Sequence, residues 1–376
     1  MKVLAALTLV AVSTCVAVMG CNATNDTAPG DSMNVVWHAP LASSAFSYWV
    51  GVPALDGGKL FVEDANNVVA LDAASGATLW STKVRVFPFP AAQQLVTAAG
   101  TVFVSEATYV TALDESTGAI RWQFTPDSGA AGVFPSVDDR AYYTGQRGIP
   151  VVYALDRSTG GLLWKVNLGS AWQDPAFVSA VLVSGDTVFA VAERWLAWNG
   201  YISSVVVAAL NRLDGRELWR FETASKNNSA WGARLIGDLV VINDIAGGGV
   251  FAVSKSTHTE VWRLRSPNQG AGGTALPAMD GGAVYVGTGG GYVFALDELT
   301  GRVIWNHQTK MYVFGITTCG TSVVSNIADL ERYDPASGNV TGHFNANANG
   351  GFTSNLVSDG SRVFVTGVDG VRAVSC

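Results

Sequence analysis

An eleven-residue motif recurs along the chain at a nearly constant interval and constrains the fold more than any other feature. Each copy has an Ala-Leu-Asp or similar triplet, a short turn, Gly, and a Trp eight residues after the Asp position. The copies are ALDAASGATLW (70–80), ALDESTGAIRW (112–122), ALDRSTGGLLW (154–164), ALNRLDGRELW (209–219), AVSKSTHTEVW (252–262), ALDELTGRVIW (295–305) and, with Gly342 in place of Trp, RYDPASGNVTG (332–342). Successive Trp positions, beginning with Trp37, are 43, 42, 42, 55, 43 and 43 residues apart. This regularity predicts that the chain repeats one structural unit.

Each part of the motif suits a strand, a tight turn and a second strand. The Asp accepts hydrogen bonds from backbone amides ahead of it and begins a type I turn, which we assign to Asp72, Asp114, Asp156 and Asp297. Four residues later a Gly supplies the positive φ that closes the hairpin with a bulge, at Gly76, Gly118, Gly160, Gly215 and Gly301. His258 takes the Gly position in the fifth copy, so we expect a more strained turn there. The Trp is predicted to pack against the neighbouring unit, at Trp37, Trp80, Trp122, Trp164, Trp219, Trp262 and Trp305.

Four strands fit into each repeat, and in the sixth repeat we predict them at 273–279, 283–287, 292–297 and 302–308. Four-stranded units at this period are typical of a β-propeller. The chain starts with a lone outer strand and ends with a third strand that lacks its partner, so the two ends are predicted to share one blade. The predicted fold is therefore all-β, an eight-bladed β-propeller of four-stranded antiparallel blades. Seven blades with frayed ends is the alternative.

Composition and residue spacing argue against several classes of function. Hydrophobic residues make up 48% of the 376 residues, so the chain can bury a large core and is not disordered. The net charge is −7 without a basic run, which argues against a nucleic-acid partner. Four His residues lie in different repeats without zinc-site spacing, and no glycine run precedes a helix as a phosphate loop would. We therefore expect no catalytic residue, no metal and no cofactor.

The amino terminus carries export signals. Residues 1–21 have a basic start and an apolar stretch too short to span a bilayer. They end in Val-Met-Gly-Cys, which resembles a lipobox and predicts a lipid on Cys21; an ordinary cleaved signal peptide is the alternative. Residues 22–33 are polar and are predicted to be a flexible tether, and residues 34–376 a single propeller domain.

Two cysteines remain in the predicted propeller, Cys319 and Cys376. In an oxidising compartment a pair of thiols favours one disulfide. Two buried free thiols are the alternative, and the sequence does not decide between them.

The repeat closely resembles the pyrroloquinoline-quinone-like (PQQ-like) repeat, whose hallmark is Ala-Leu-Asp-x-x-[Thr/Ser]-Gly-x-x-x-Trp, over essentially all of residues 34–376. That resemblance implies either a quinoprotein dehydrogenase or a non-catalytic eight-bladed lipoprotein similar to the outer-membrane assembly factor BamB. The dehydrogenases are usually larger, and many have a disulfide between adjacent cysteines, calcium ligands and a catalytic Asp. This chain has no Cys-Cys pair, and its motif aspartates lie in turns. The BamB-like branch is therefore favoured, although no loop motif allows that family's partner contacts to be carried over.

The 55-residue step between Trp164 and Trp219 contains an insertion rich in aromatic residues. It includes Trp195, Trp198 and Tyr201. Insertions in repeat proteins map to loops, often on the binding face, and aromatic residues are enriched in interface hot spots, so this segment is a candidate partner-binding loop. In the alternative interpretation the rings cover the blade rim, or the segment lengthens the second and third strands.

We therefore interpret the chain as an exported scaffold that binds or assembles proteins, BamB-like at most, and we lean against an enzyme. The alternatives are a PQQ-dependent dehydrogenase-like enzyme and a propeller that binds another ligand. The expected partner is a protein of the cell envelope, with membrane contact through the lipid on Cys21. In a Gram-negative host we expect attachment to the outer membrane, facing the periplasm. In any other host we expect attachment at the cell surface. We expect a monomer.

Overall fold

The structure, a computed structural model, describes most of the chain from residue 33 onward. The described ranges are 33–41, 52–64, 66–84, 95–105, 109–127, 133–146, 149–170, 172, 176–197, 202–224, 228–247, 249–266, 275–346, 354–367 and 369–376. Within them the regular elements are β-strands. No helix in these ranges has the length and apolar character needed to cross a membrane.

The strands occupy four successive positions in each blade. The first strands are β2 (Ala54–Asp56), β6 (Val96–Ala98), β10 (Ser136–Val137), β14 (Ala176–Ser184), β18 (Ala230–Ile236), β22 (Ala278–Asp280), β26 (Gly315–Cys319) and β30 (Val357–Ser358). The second strands are β3 (Lys59–Asp64), β7 (Thr101–Ser105), β11 (Ala141–Gly145), β15 (Thr187–Ala197), β19 (Leu239–Asp244), β23 (Ala283–Thr288), β27 (Ser322–Asn326) and β31 (Arg362–Gly367).

The two outer positions complete each sheet. The third strands are β4 (Asn67–Asp72), β8 (Val110–Asp114), β12 (Val151–Asp156), β16 (Ile202–Asn211), β20 (Gly249–Ser254), β24 (Tyr292–Asp297), β28 (Leu330–Tyr333) and β32 (Gly370–Ser375). The fourth strands are β5 (Thr78–Lys83), β9 (Ile120–Phe124), β13 (Leu162–Asn167), β17 (Glu217–Glu222), β21 (Glu260–Arg265), β25 (Val303–Gln308), β29 (Val340–Phe344) and β1 (Val35–Ala39).

These strands form eight antiparallel sheets of four, so the predicted eight-bladed propeller is confirmed. Blade 1 is β2–β5, the blades follow in chain order, and blade 8 joins β30–β32 to β1. The first strands of neighbouring blades lie side by side in seven of the eight adjacent pairs, including β2 with β30, and therefore surround the central axis. In blade 6 the first strand is shorter than predicted and begins at Ala278, directly after Pro277, which has no amide hydrogen to donate to a ladder.

The two chain ends close the ring inside blade 8. Strand β1 pairs with β32, with Trp37 opposite Ala373. The amide of Ser375 donates to the carbonyl of Asn34 at 2.9 Å. Met33, predicted to lie in the tether, is instead buried against the propeller. The shared blade is therefore held by main-chain hydrogen bonds between the first and last described strands.

The motif aspartates cap their own turns. The Asp156 carboxylate accepts the amides of Ser158 at 3.0 Å and Thr159 at 2.9 Å. The Ser158 hydroxyl also donates to it, and these hydrogen bonds lower the pKa of Asp156 because they favour the ionised form. The amide of Gly160 then donates to the Asp156 carbonyl at 2.8 Å, and Gly160 has a φ of +72°. Four further motif aspartates accept a hydrogen bond from the amide three residues on, and they are Asp72, Asp114, Asp297 and Asp334.

Each motif Trp lies on the hairpin turn of the next blade. The indole N–H of Trp122 donates to the carbonyl of Arg157 at 3.0 Å, and a Cβ added to Gly160 would come within 2.6 Å of the Trp122 ring. The turn glycine therefore provides both a left-handed conformation and room for the neighbouring ring. The same glycine-on-Trp contact joins Gly76 to Trp37, Gly118 to Trp80, Gly215 to Trp164, Gly301 to Trp262 and Gly338 to Trp305.

In the fifth motif a histidine, His258, stands at the glycine position and contacts the Trp of the preceding blade. His258 has a φ of +62°, the left-handed conformation expected at the Gly position. Its ring stacks on Trp219 of blade 4, with 4.5 Å between centroids and 18° between planes. Because an aromatic stack adds a favourable contact, it offsets the cost of that backbone conformation.

The blade without a motif Trp faces the chain ends instead of a hairpin turn. Gly342 stands at the Trp position of blade 7, and the Arg332 guanidinium lies over it. Arg332 donates to the carbonyl of Cys376 at 2.6 Å. Cys376 is joined in a disulfide to Cys319 at the end of β26, with 5.7 Å between the two Cα atoms. An arginine and a disulfide thus link blades 7 and 8 where the Trp contact is missing.

Replacing Gly160 by Ala separates the two roles of the turn glycine. We expect a loss of about 2–5 kcal/mol, because the added methyl group meets both backbone strain and the Trp122 ring. Gly185→Ala is the matched control, since Gly185 has a φ of +56° with no atom within 4 Å of an added Cβ. It should cost about 1–2 kcal/mol. Denaturant unfolding measures both, and equal losses would contradict the ring-contact role.

The blade 7–8 disulfide is tested by the pair Cys319→Ser and Cys376→Ser. We expect the double variant to lose about 2–4 kcal/mol of unfolding free energy, because the bridge closes a long loop in the unfolded chain. Without reductant, mass spectrometry of wild-type protein should find the peptides of Cys319 and Cys376 linked. Full alkylation of both thiols without reductant would refute the bridge.

Candidate functional site

The propeller has two faces with different structures. On the turn face, short hairpins join first strands to second strands and third strands to fourth strands, and the motif aspartates lie here. On the loop face lie the connections between blades and the loops between second and third strands. The turn aspartates are occupied in capping hairpins, whereas the loop face carries longer segments that are free to form a site.

Blade 4 extends further from the loop face than its neighbours. Strand β15 has 11 residues and β16 has 10, against 5 and 6 in β11 and β12 of blade 3 and 6 each in β19 and β20 of blade 5. Five additional residues lengthen a strand by roughly 17 Å. The pairing continues through Trp195 opposite Ser203 to Ala197 opposite Ile202. The inserted segment therefore lengthens the second and third strands, which was the alternative interpretation of the sequence. We call this extension the blade 4 hairpin (residues 193–205).

Of the three aromatic residues predicted to form a partner-binding loop, one lies within the described part of the chain. Trp195 lies in β15, half-buried, with its ring edge-on to Phe177 of β14 at 6.2 Å between centroids. Trp198 and Tyr201 lie outside the described residues, and so does the predicted lipidation site Cys21. Trp195 thus supports the base of the hairpin by packing within its own blade.

A second aromatic residue beside the hairpin was not identified from the sequence. Trp172 follows β13, and the guanidinium groups of Arg194 and Arg220 lie over its ring at 5.3 and 5.0 Å from the centroid. Such cation–π contacts fix long side chains in place. Arg194 also lies 3.5 Å from the carboxylate of Glu222. Two arginines and an indole therefore form a charged and aromatic patch next to the hairpin, which only the fold could bring together.

A buried carboxylate lies at the base of the hairpin. Glu193 is 3% exposed, and the Ser229 hydroxyl of the adjacent blade donates to it. Burial raises the pKa of Glu193, and the nearby charge of Asp244 adds to that effect, whereas hydrogen bonds from Ser229, Ser203 and Trp195 oppose it. The hairpin is thus anchored to blade 5 through a carboxyl group whose ionisation destabilises the folded protein.

Asp244 and Arg263 complete this anchor in blade 5. The Asp244 carboxylate accepts the amides of Ser229 at 3.0 Å and Gly247 at 2.9 Å, and the Arg263 guanidinium at 2.8 Å. Arg263 also donates to the Asn228 side chain at 2.8 Å. These bonds tie the start of blade 5 to its second and fourth strands, so the hairpin rests on a rigid support.

The chemistry available at this site is that of a binding surface. Its buried carboxylates are held by several hydrogen bonds each, and its partly exposed or exposed groups are arginine, tryptophan and glutamate side chains. In the described part of the chain no group of three or more His, Cys, Asp or Glu side chains could hold a metal ion. The arrangement presents a rigid projecting hairpin with a mixed charged and aromatic flank.

Glu193→Gln tests the buried carboxyl. Because the folded-state pKa is raised above the ordinary 4.5, ionisation of Glu193 lowers stability as pH rises from about that value through the raised pKa. We expect the variant to be more stable than wild type at pH 7 by about 1 kcal/mol or more, because the neutral amide avoids the cost of ionising a buried group, and to match it near pH 4. Urea unfolding at both pH values measures this. The exposed Glu217→Gln is the control, and a gain that does not depend on pH would contradict the assignment.

Comparison with known proteins identifies the family. A sequence profile of the family described as outer membrane protein assembly factor BamB matches residues 31–109, 106–234 and 203–328. The chain is 25% identical over 189 residues to the outer membrane protein assembly factor BamB of Yersinia pestis, covering 48% of this chain and 43% of that protein. It is 27% identical over 157 residues to the corresponding protein of Shewanella oneidensis, covering 40% of this chain and 38% of the relative. The matches thus span less than half the length of these relatives.

Solved structures show the same fold at lower identity. BamB from Moraxella catarrhalis superposes with a TM-score of 0.68 at 14% identity, covering 91% of this chain and 99% of that one. A quinohemoprotein alcohol dehydrogenase from Comamonas testosteroni superposes equally well, with a TM-score of 0.69 at 14% identity and coverage of 91% and 76%. The fold is therefore shared by a BamB protein and an alcohol dehydrogenase, and it does not by itself decide the function. Because the sequence profile matches most of the chain, this protein belongs to the family of PQQ-like propellers described as outer membrane protein assembly factor BamB.

Proposed function

We propose that this protein is a non-catalytic scaffold that binds a protein partner during the assembly of outer-membrane proteins. The observation that carries the proposal is the blade 4 hairpin, which projects from the loop face beside the patch of Trp172, Arg194 and Arg220. Tryptophan and arginine are the side chains most enriched in interface hot spots. Membership of the family points to the assembly of outer-membrane proteins as the process, and the hairpin offers a surface on which a partner can dock.

The proposed location is the cell envelope. Export through the signal at residues 1–21 and a lipid on Cys21 would tether a monomeric propeller to the membrane through residues 22–32. The tether joins the propeller at Met33 and β1, an outer strand that starts at the turn face. The loop face, with the blade 4 hairpin, lies on the opposite side of the disc and stays accessible to a partner.

The enzymatic alternative draws only on the shared fold. The motif aspartates Asp72, Asp114, Asp156 and Asp297 each accept hydrogen bonds within their own turns. Turn capping accounts for each of them without a catalytic role, so the scaffold is the better-supported proposal.

A shortened blade 4 hairpin tests the docking surface. Residues 196–202 are replaced by Asn-Gly, a two-residue turn suited to a hairpin, which removes Trp198 and Tyr201 and keeps Trp195 on Phe177. After cross-linking in intact cells, we expect at least tenfold less partner to co-purify with this variant than with wild type. The partners recovered with wild type should include outer-membrane assembly proteins.

A control on the opposite face distinguishes docking from general damage. Leu213→Ala removes a side chain that is 60% exposed on the turn face of the same blade, and it should leave the recovery unchanged. Thermal unfolding verifies that both variants are folded. Undiminished recovery with the shortened hairpin would refute the docking surface. Absence of outer-membrane assembly proteins from the wild-type sample would refute the assembly role.

A further inference from the structure

Both strands of the blade 4 hairpin are held by the short segment that enters blade 5. In β16 the Ser203 hydroxyl donates to the carbonyl of Asn228 at 2.7 Å, and the amide of Asn228 donates to the carbonyl of Ser203 at 3.0 Å. In β15 the Glu193 carboxyl accepts the hydroxyl of Ser229. The position of the hairpin on blade 5 therefore depends in part on a titratable side chain.

Ser229 bridges two buried carboxyl groups. Its hydroxyl donates to Glu193, and its amide donates to Asp244 at 3.0 Å. Glu193 is 3% exposed and Asp244 is 2% exposed, so water screens little of the repulsion between their charges. When both groups are ionised, two negative charges therefore lie on either side of one serine in the interface between blades 4 and 5.

Within the described ranges, the cation bound to this pair of carboxyl groups is Arg263 of β21. Its guanidinium donates to Asp244 at 2.8 Å. The same guanidinium also donates to the carboxylate of Glu260 at 2.7 Å. Because one positive charge is already shared by two carboxylates, it does not compensate a third at Glu193.

The strands packed around Glu193 bring no further charge to it. Strands β14 and β16, which flank it in the sheet, contain no charged residue. Arg194 points to the opposite face of the sheet, where it lies over Trp172 and 3.5 Å from Glu222. In β18 the charged residue is Arg234, five residues beyond Ser229 and roughly 17 Å further along an extended strand.

The two buried carboxyl groups differ in how well their charge is supported. Burial raises the pKa of both, but at Asp244 hydrogen bonds from the amides of Gly247 and Ser229 and from Arg263 oppose the rise. At Glu193 the charge of Asp244 adds to the rise. As pH increases, Asp244 therefore ionises first and Glu193 ionises against an existing negative charge.

We propose that Glu193 is a proton-controlled latch for the blade 4 hairpin. In its neutral form it accepts the Ser229 hydroxyl, and the hairpin lies fixed on blade 5. In its ionised form it is a second buried negative charge beside Asp244, and the contact opens so that the carboxylate reaches water.

The consequence for binding rests on the proposed docking role of the hairpin. A hairpin that is fixed in one arrangement loses less conformational freedom when a partner binds. The latch therefore favours docking at lower pH, and docking weakens as pH rises and Glu193 ionises.

Hydrogen–deuterium exchange of the isolated full-length protein tests the latch. After correction for intrinsic exchange rates, the amides of residues 202–205 should lose at least tenfold in protection between pH 5 and pH 8, because each pH unit above the pKa of a group that must stay neutral favours opening about tenfold. The amides of β7 in blade 2 should keep their protection. Unchanged protection in the hairpin, or an equal loss in β7, would overturn the proposal.

Substitutions assign the effect to one carboxyl group. Glu193→Gln stays neutral, so its hairpin should have the same protection at both pH values. Glu217→Gln removes an exposed carboxylate from the same blade, and it should respond to pH as wild type does. Circular dichroism verifies that both variants are folded. The wild-type pH response in Glu193→Gln would refute the latch. Because no partner is present, this outcome is distinct from a failure of the docking surface, which the shortened hairpin tests.

Discussion

The contact between a tryptophan and the hairpin turn of the next blade is the interaction on which the ring depends. The indole covers a turn that has no side chain at its centre, and its N–H satisfies a carbonyl of that turn, as Trp122 does with Gly160 and Arg157. Apolar burial and hydrogen bonding therefore act at the same place. Because each contact joins consecutive blades, each repeat of the sequence adds one blade to the ring.

The exceptions follow from the same constraint. His258 occupies the glycine position and remains tolerable because its ring stacks on Trp219. Gly342 replaces Trp where the neighbouring hairpin is interrupted by the chain ends, and there Arg332 and the Cys319–Cys376 disulfide make the connection. A tryptophan at position 342 would have no hairpin turn to cover. The degraded seventh motif is thus a consequence of where the ring opens.

The two faces of the disc serve different purposes because the connections differ in length. Hairpins on the turn face are short and filled with capping groups such as Asp156, so they stabilise the blades. The loop face tolerates extension, since a lengthened strand pair adds hydrogen bonds without disturbing neighbouring blades. Blade 4 uses this freedom, and its hairpin is steadied by Glu193 and the Asp244–Arg263 pair below it.

The sequence by itself determined the architecture, because the motif encodes local turn chemistry and its spacing encodes the repeat. Eight blades, four strands in each and a shared last blade all follow from Asp, Gly and Trp at set positions. The sequence also located the insertion around Trp195, but it left open whether that segment is a loop or a longer hairpin. Only the tertiary structure placed Trp172 beside Arg194 and Arg220, and Gly232 against Phe134 and Leu276. These residues are far apart in the chain and belong to no motif, and closure of the ring alone brings them together.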